Sequence, residues 1–146
     1  MYRILIVCTG NTCRSPMLET FLKDKVKKLG KELEVKSVGL YVTDDKVNLM
    51  ARRALKPYSL VIRHKPTQLT EKALERADTV ITMTDDQKYR LYTNKCFYKV
   101  FSMRETVGYN IPDPYGMGDY AYSECAKVLD NASDIIVENL IKAGKI

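Results

Sequence analysis

The sequence predicts an α/β domain, doubly wound around a parallel sheet of four strands with helices on both faces. Three observations carry this expectation. Strand-like and helix-like segments alternate along the chain, the pattern of a sheet built from strand–helix–strand crossovers. The first strand candidate, RILIVC at 3–8, is a continuous apolar run and not an alternating one, as expected of a strand buried on both faces. The length of 146 residues suits one domain with a core large enough to be stable unaided. No repeat, low-complexity tract or linker interrupts the chain, so residues 1–146 are read as a single domain.

The elements follow in order. After RILIVC comes the loop CTGNTCRS (8–15), and then a helix whose Leu18, Leu22, Val26 and Leu29 share one face. Ser15 is its expected N-cap, Pro16 its first residue and Gly30 its stop. ELEVKSVG (32–39) reads as the second strand. VNLMARRALK (47–56) reads as a helix ended by Pro57, and LTEKALERA (69–77) as another with Thr70 at its start. DTVITM (78–83) is the clearest interior strand, followed by a helical DDQKYRLY, and CFYKVFS (96–102) reads as the fourth strand. VGYNIPDPYGMG (107–118) is a loop rich in Gly and Pro. Cys125, Leu129, Ala132, Ile136 and Leu140 then line one face of a long C-terminal helix.

Composition removes several function classes. No apolar run approaches the roughly 20 residues that span a bilayer. The N-terminal apolar stretch breaks after Val7 without a cleavage site, so the expected location is the cytoplasm and no membrane is expected as a partner. The four cysteines, at 8, 13, 96 and 125, do not read as a disulfide framework in a domain of this size. They do not read as a metal site either: the close pair is C-x4-C, no second pair exists and the single histidine, His64, stands alone. The formal charge of +6 is spread over helix faces such as KDKVKK, so nucleic acid is not the expected partner, although a basic surface helps to attract phosphorylated ones.

In a doubly wound sheet, ligands sit beyond the carboxyl ends of the strands. CTGNTCRS leaves the first strand at such an end, and the turn after DTVITM and the loop after CFYKVFS converge on it. Gly10 and Asn11 tolerate left-handed backbone that turns successive N–H groups toward one centre. That nest, formed by residues 9–14 (Thr9, Gly10, Asn11, Thr12, Cys13 and Arg14) and backed by a helix N-terminus, is suited to an anion such as phosphate or sulfate. The same dipoles stabilise a thiolate on Cys8, and Arg14 adds a planar fork of donors for phosphate oxygens. A nucleophile and an anion cradle therefore coincide. Displacement at phosphorus also needs a general acid for the leaving group, and Asp113 in PDPYG, stiffened by its flanking prolines, is the best candidate. No cofactor is called for.

CTGNTCRSP, SVG at 37–39, HKPTQLT at 64–70, ADTVITM at 77–83 and DPYG at 113–116 together resemble the low-molecular-weight protein tyrosine phosphatases, in order and over nearly the whole chain. The resemblance implies a four-stranded parallel sheet and protein phosphatase activity on phosphorylated proteins, through a phosphocysteine and in a monomer. By motif position it implies Cys8 as nucleophile, Arg14 on the phosphate and transition state, and Asp113 as acid and then base. Asn11 braces the loop, Ser15 hydrogen-bonds the thiolate, and Ser37 and His64 support Asn11.

Two departures concern the substrate pocket. Tyr115 is followed by Gly116 where many eukaryotic members have a second aromatic. The family's common tryptophan near SVGLYV is missing, so Leu40 or Tyr41 is expected in its place. A third feature is Thr12. Tyrosine phosphatases of the family usually carry a bulkier aliphatic residue there, whereas the branch resembling protein-arginine phosphatases has threonine in CTGNTCRSP, leaving room and polarity for a planar guanidinium. Phosphoarginine, or alternatively phosphotyrosine, is the implied substrate. Cys13, close to Cys8, is the expected resolving thiol if Cys8 is oxidised.

Three other readings rank lower. An arsenate reductase would need resolving cysteines close together, and Cys96 and Cys125 are not. A phosphocysteine carrier has no use for Arg14 together with an acid at Asp113. A phospho-residue-binding module has no use for an intact nucleophile.

Overall fold

A computed structural model describes residues 1–146. Four strands, β1 (Arg3–Cys8), β2 (Glu34–Gly39), β3 (Thr79–Thr82) and β4 (Val100–Ser102), form one parallel sheet in the order β2-β1-β3-β4. Six helices connect and flank them: α1 (Arg14–Lys28), α2 (Leu49–Ala54), α3 (Glu71–Arg76), α4 (Asp85–Tyr89), α5 (Met103–Val107) and α6 (Gly118–Lys142). No helix is long and apolar enough to cross a membrane.

The apolar run of β1 is divided between two cores. Ile4, Ile6 and Cys8 enter the larger one, with Met17, Leu18, Phe21 and Leu22 of α1 and Tyr122, Ala126, Leu129 and Ile136 of α6. Leu5 and Val7 enter the smaller one on the opposite face, with Val38, Leu74 of α3, Val80 and Val100. Alternate residues of one strand feeding two cores is what makes the expected continuous apolar pattern necessary. Both faces are covered, and the domain is doubly wound as expected.

From β1 the chain first adds β2 on one side and then, after α2 and α3, adds β3 on the other. The crossover direction reverses beside the end of β1, and this switch point opens a crevice there. Register places the last residue of β1, Cys8, against Gly39 at the end of β2, and Val7 against Thr82 of β3. The nucleophile candidate thus emerges from the middle of the sheet at its carboxyl edge.

Several boundaries differ from expectation, each for a local reason. α1 begins at Arg14 with Cys13 as its N-cap, so Ser15 does not cap the helix and Pro16 is its third residue. The Ser15 hydroxyl is used elsewhere, as described below. α2 is shorter than 47–56: the Asn48 side chain accepts the Met50 N–H and starts it at Leu49, while Pro57 redirects the chain into a 3-10 turn at Lys56–Tyr58. Of CFYKVFS, only Val100–Ser102 pairs with β3, because Phe97–Lys99 is a 3-10 turn. α5 lies where a strand was expected to pass directly into a loop. Its Ser102/Glu105 capping box, readable as S-x-x-E, starts the helix.

Candidate active site

The segment after β1 curls over the strand end so that Asn11 is left-handed, at φ 58°. Asparagine tolerates this conformation better than other side chains do, and here its amide is also fully engaged. Thr67 fixes its orientation. The Thr67 backbone N–H can only donate, and it donates to Asn11 Oδ1 at 2.8 Å. The opposite amide nitrogen therefore donates to Ser15 Oγ at 2.8 Å and to Ser37 Oγ at 3.0 Å. Since Ser15 Oγ accepts from Asn11, its own proton is free for Cys8 Sγ, 2.8 Å away. The Asn11 backbone N–H donates to the same sulfur at 3.2 Å. Two donors thus converge on Cys8 Sγ.

The same logic sets His64. Asn11 Oδ1 can only accept, so His64 Nε2, at 2.7 Å, carries a proton and donates it. His64 Nδ1 then faces Glu19 Oε1 at 3.6 Å; Glu19 is 5% exposed, and Oε1 is the buried side-chain oxygen left without a hydrogen bond. Burial holds the imidazole pKa below its ordinary value, with Glu19 pulling the other way. Asn11, Ser15, Ser37 and His64 are brought together as expected. Glu19 and the Thr67 N–H were not foreseen, because nothing in their spacing marks them.

Arg14 is 6% exposed. It donates to the Ile111 carbonyl at 2.8 Å and lies 3.6 Å from Asp113 Oδ2. The Ile111 N–H in turn donates to the Met83 carbonyl at 2.9 Å, tying the acid-bearing loop to the end of β3. The Asp113 side chain remains about half exposed, at 54%, and its Oδ1 accepts the Tyr115 N–H at 3.1 Å. A carboxyl group held at the mouth by two prolines and a turn is free to exchange protons with a leaving group or with water.

These residues surround a pocket of about 390 Å³ lined by residues 8–14 together with Tyr41, Thr43, Asp44, Asp113 and Tyr115. Tyr41 and Tyr115, each 73% exposed, stand at its mouth as aromatic walls. Leu40 does not line it. The side chain of Leu40 packs against the smaller core, and of the two residues only Tyr41 lines the pocket. Thr43 and Asp44 were missed: they lie in a polar loop, and only the fold shows that the loop returns over the cradle. Gln87 was missed as well. It is 4% exposed, serves in the α4 capping box, and donates to Thr9 Oγ1 at 3.2 Å, linking the β3 end to the loop.

Cys13 faces inward, 7% exposed, in the larger core. Burial and the nearby Cys125 and Cys8 sulfurs push its thiol pKa far up. All four cysteines are free thiols. Cys13 thus lies in the loop as expected, bordering the pocket while its side chain is buried in the larger core.

The description "low molecular weight phosphotyrosine protein phosphatase" belongs to a family whose pattern matches residues 3–145. The chain is 32% identical over 145 residues to the protein-arginine-phosphatase of Bacillus subtilis, covering 95% of this chain and 97% of that one. A low molecular weight protein tyrosine phosphatase from T. tengcongensis superposes with a TM-score of 0.91 at 37% identity, covering 96% of this chain and all of the other (100%). The arginine phosphatase YwlE, as a cysteine-to-serine mutant with a phosphorylated active-site serine, superposes with a TM-score of 0.91 at 30% identity over 96% of each chain.

Proposed function

The chain belongs to the low molecular weight phosphotyrosine protein phosphatase family and is a cysteine-dependent protein phosphatase, and on that premise we propose that it hydrolyses phosphoarginine in proteins through Cys8, Arg14 and Asp113. The observation that carries the assignment of residues is their convergence: a sulfur with two donors, a buried arginine and a half-exposed carboxyl group border one pocket.

The phosphoryl oxygens sit against the N–H groups of residues 9–14 and the Arg14 guanidinium, with phosphorus above Cys8 Sγ. The thiolate attacks in line while the bond to the leaving nitrogen or oxygen breaks, and Asp113 supplies its proton. Water then attacks the phosphocysteine, Asp113 takes up the water's proton, the P–S bond breaks and phosphate departs. Arg14 and the N–H groups hold the charge spread over the equatorial oxygens throughout. Inorganic phosphate or sulfate would occupy the same cradle. We place the reaction in the cytoplasm and in a monomer, where the thiol chemistry of Cys8 needs a reducing environment.

Phosphoarginine is supported by Thr12, a small polar residue on the pocket wall, and by the likeness to the Bacillus subtilis protein-arginine-phosphatase. Phosphotyrosine is the second reading, favoured by Tyr41 and Tyr115 at the mouth, which can flank an aryl ring. Comparing kcat/KM on peptides that differ only in phosphoarginine or phosphotyrosine decides between them, with Cys8→Ser as the blank. A ratio in favour of phosphotyrosine ends the phosphoarginine reading, and turnover by Cys8→Ser within tenfold of the wild type ends the nucleophile assignment.

A further inference from the structure

A pocket built for a phosphoryl dianion gains from positive charge, yet Asp44 also lines it. The lining holds one cation, Arg14, and two carboxylates, Asp44 and Asp113. Asp113 is spoken for, since it faces Arg14 and the Tyr115 N–H. Two acids elsewhere on this side have basic partners, Asp119 with Arg53 at 3.2 Å and Asp85 with Arg104 at 2.6 Å, and the exposed Asp45 next in the chain does not line the pocket. Asp44 has no such partner and stands exposed to solvent and to the pocket.

Its position is set by the loop that carries it. The Leu40 and Tyr41 N–H groups donate to the Cys8 and Thr9 carbonyls, both at 2.9 Å, and the Asn48 N–H donates to the Thr12 carbonyl at 2.8 Å. Between these points, the Val42 N–H donates to Gln68 Oε1 at 2.9 Å, and Val47 is buried. The segment from 40 to 48 is thus docked at both ends on the phosphate loop itself, and Asp44 lies at the crest between them. The pocket is polarised: N–H groups, a helix N-terminus and Arg14 at its floor, a carboxylate at its rim.

An aryl phosphate cannot use that rim, because its ring brings neither charge nor N–H donors. A phosphoarginine side chain matches it from floor to rim, with an anionic phosphoryl group below and a cationic guanidinium above. Asp113 addresses the nitrogen bonded to phosphorus, since that nitrogen takes the proton when the bond breaks. The remaining N–H groups of the guanidinium point away from the phosphate and need an acceptor. We propose that Asp44 is a specificity-determining residue that accepts these N–H groups and so discriminates phosphoarginine from phosphotyrosine. This rests on the phosphoarginine reading above and deepens it.

The test compares the wild type with Asp44→Asn, Asp44→Lys and Asp44→Glu on three substrates: a phosphoarginine peptide, the matched phosphotyrosine peptide and a small aryl phosphate. Because the contact is a charge-assisted hydrogen bond at a solvent-exposed rim, Asp44→Asn should lower kcat/KM for phosphoarginine by about three- to tenfold, mainly through KM. Asp44→Lys should lower it further, and Asp44→Glu should recover most of it. The two aryl substrates should be unchanged or improved by Asp44→Asn and Asp44→Lys. The phosphoarginine loss should shrink as salt is raised, since exposed charges are screened. Equal losses on all three substrates, or no loss on phosphoarginine, overturn the proposal. A wild type that turns over phosphotyrosine but not phosphoarginine overturns the substrate reading itself, and with it the role of Asp44, and that result is visible before any variant is made.

Discussion

Asn11 is the residue whose replacement should separate the physical contributions to the cradle. Its side chain donates to Ser15 and Ser37 and accepts from Thr67 and His64, at 2.7–3.0 Å, while its backbone is left-handed. Asn11→Ala removes all four hydrogen bonds, each with a net worth of about 0.5–1.5 kcal/mol, and strands the part-buried Thr67 N–H. It also leaves a Cβ-bearing residue without local polar compensation in the left-handed region, at roughly 1–2 kcal/mol. The expected loss of stability is about 4–6 kcal/mol, a large share of the ~5–15 kcal/mol of an ordinary domain. Asn11→Gly loses the same hydrogen bonds but keeps the backbone conformation available, so it should unfold about 1 kcal/mol later than Asn11→Ala. Asn11→Asp keeps the acceptor for Thr67 and His64. It draws the Ser15 proton away from Cys8 and adds negative charge beside the sulfur, so it should lose more activity than stability. Urea unfolding followed by far-UV circular dichroism measures stability, and iodoacetate alkylation of Cys8 against pH reports the thiolate. An Asn11→Ala protein within about 1 kcal/mol of the wild type, or no less stable than Asn11→Gly, would refute this reasoning.

Asp113→Asn should slow turnover by about 10²–10⁴ for substrates with poor leaving groups and far less for good ones; an equal loss on both would remove Asp113 from the proton transfer. Thr12→Ile should shift the phosphoarginine-to-phosphotyrosine ratio of kcat/KM by about 10–200-fold toward phosphotyrosine, and a proportional loss of both would make Thr12 a packing residue. A Cβ on Gly39 would lie 2.8 Å from the Thr9 carbonyl and 2.7 Å from Val42. Gly39→Ala should therefore displace the loop and cost about 1–3 kcal/mol together with ~10²-fold in activity, read by thermal unfolding and aryl phosphate turnover; wild-type values for both would contradict the close approach. Mild peroxide should convert Cys8 to a sulfenic acid that the Cys13 thiolate captures as a disulfide, with hydroxide leaving. With its pKa raised, Cys13 is ionised more as pH increases, so capture measured by mass spectrometry should accelerate with pH, and sulfinic acid on Cys8 without a Cys8–Cys13 link would end this role.

The parts of the site legible in sequence are those whose function constrains neighbours in the chain. Cys8, Asn11, Arg14 and Ser15 act within one turn of backbone, so their spacing carries their geometry. Asp113 was legible because its prolines announce a stiff loop. Leu40 and Tyr41 could not be separated until the fold put Leu40 against the smaller core and Tyr41 on the pocket. Glu19, Gln87, Thr43 and Asp44 act across the fold, and each has an ordinary local role as helix, cap or loop residue that hides the other. The same holds for boundaries: the Ser15 hydroxyl suits an N-cap by type, but tertiary partners claim it, and the helix starts two residues earlier.

The bracing of the cradle also has a consequence for how the chain acquires activity while it is being made. The amide of Asn11 is held by groups 26, 53 and 56 residues further along, and Arg14 by a carbonyl 97 residues away. A nascent chain that has emerged only as far as β2 contains the nucleophile and every N–H group of the loop, yet none of the distant clamps at 64, 67 or 111. Closing loops of that length is entropically unfavourable until the intervening elements dock, so the loop should gain its working shape late in folding. Turnover then reports completion of the whole fold, and the appearance of activity during refolding should lag behind the recovery of helical signal.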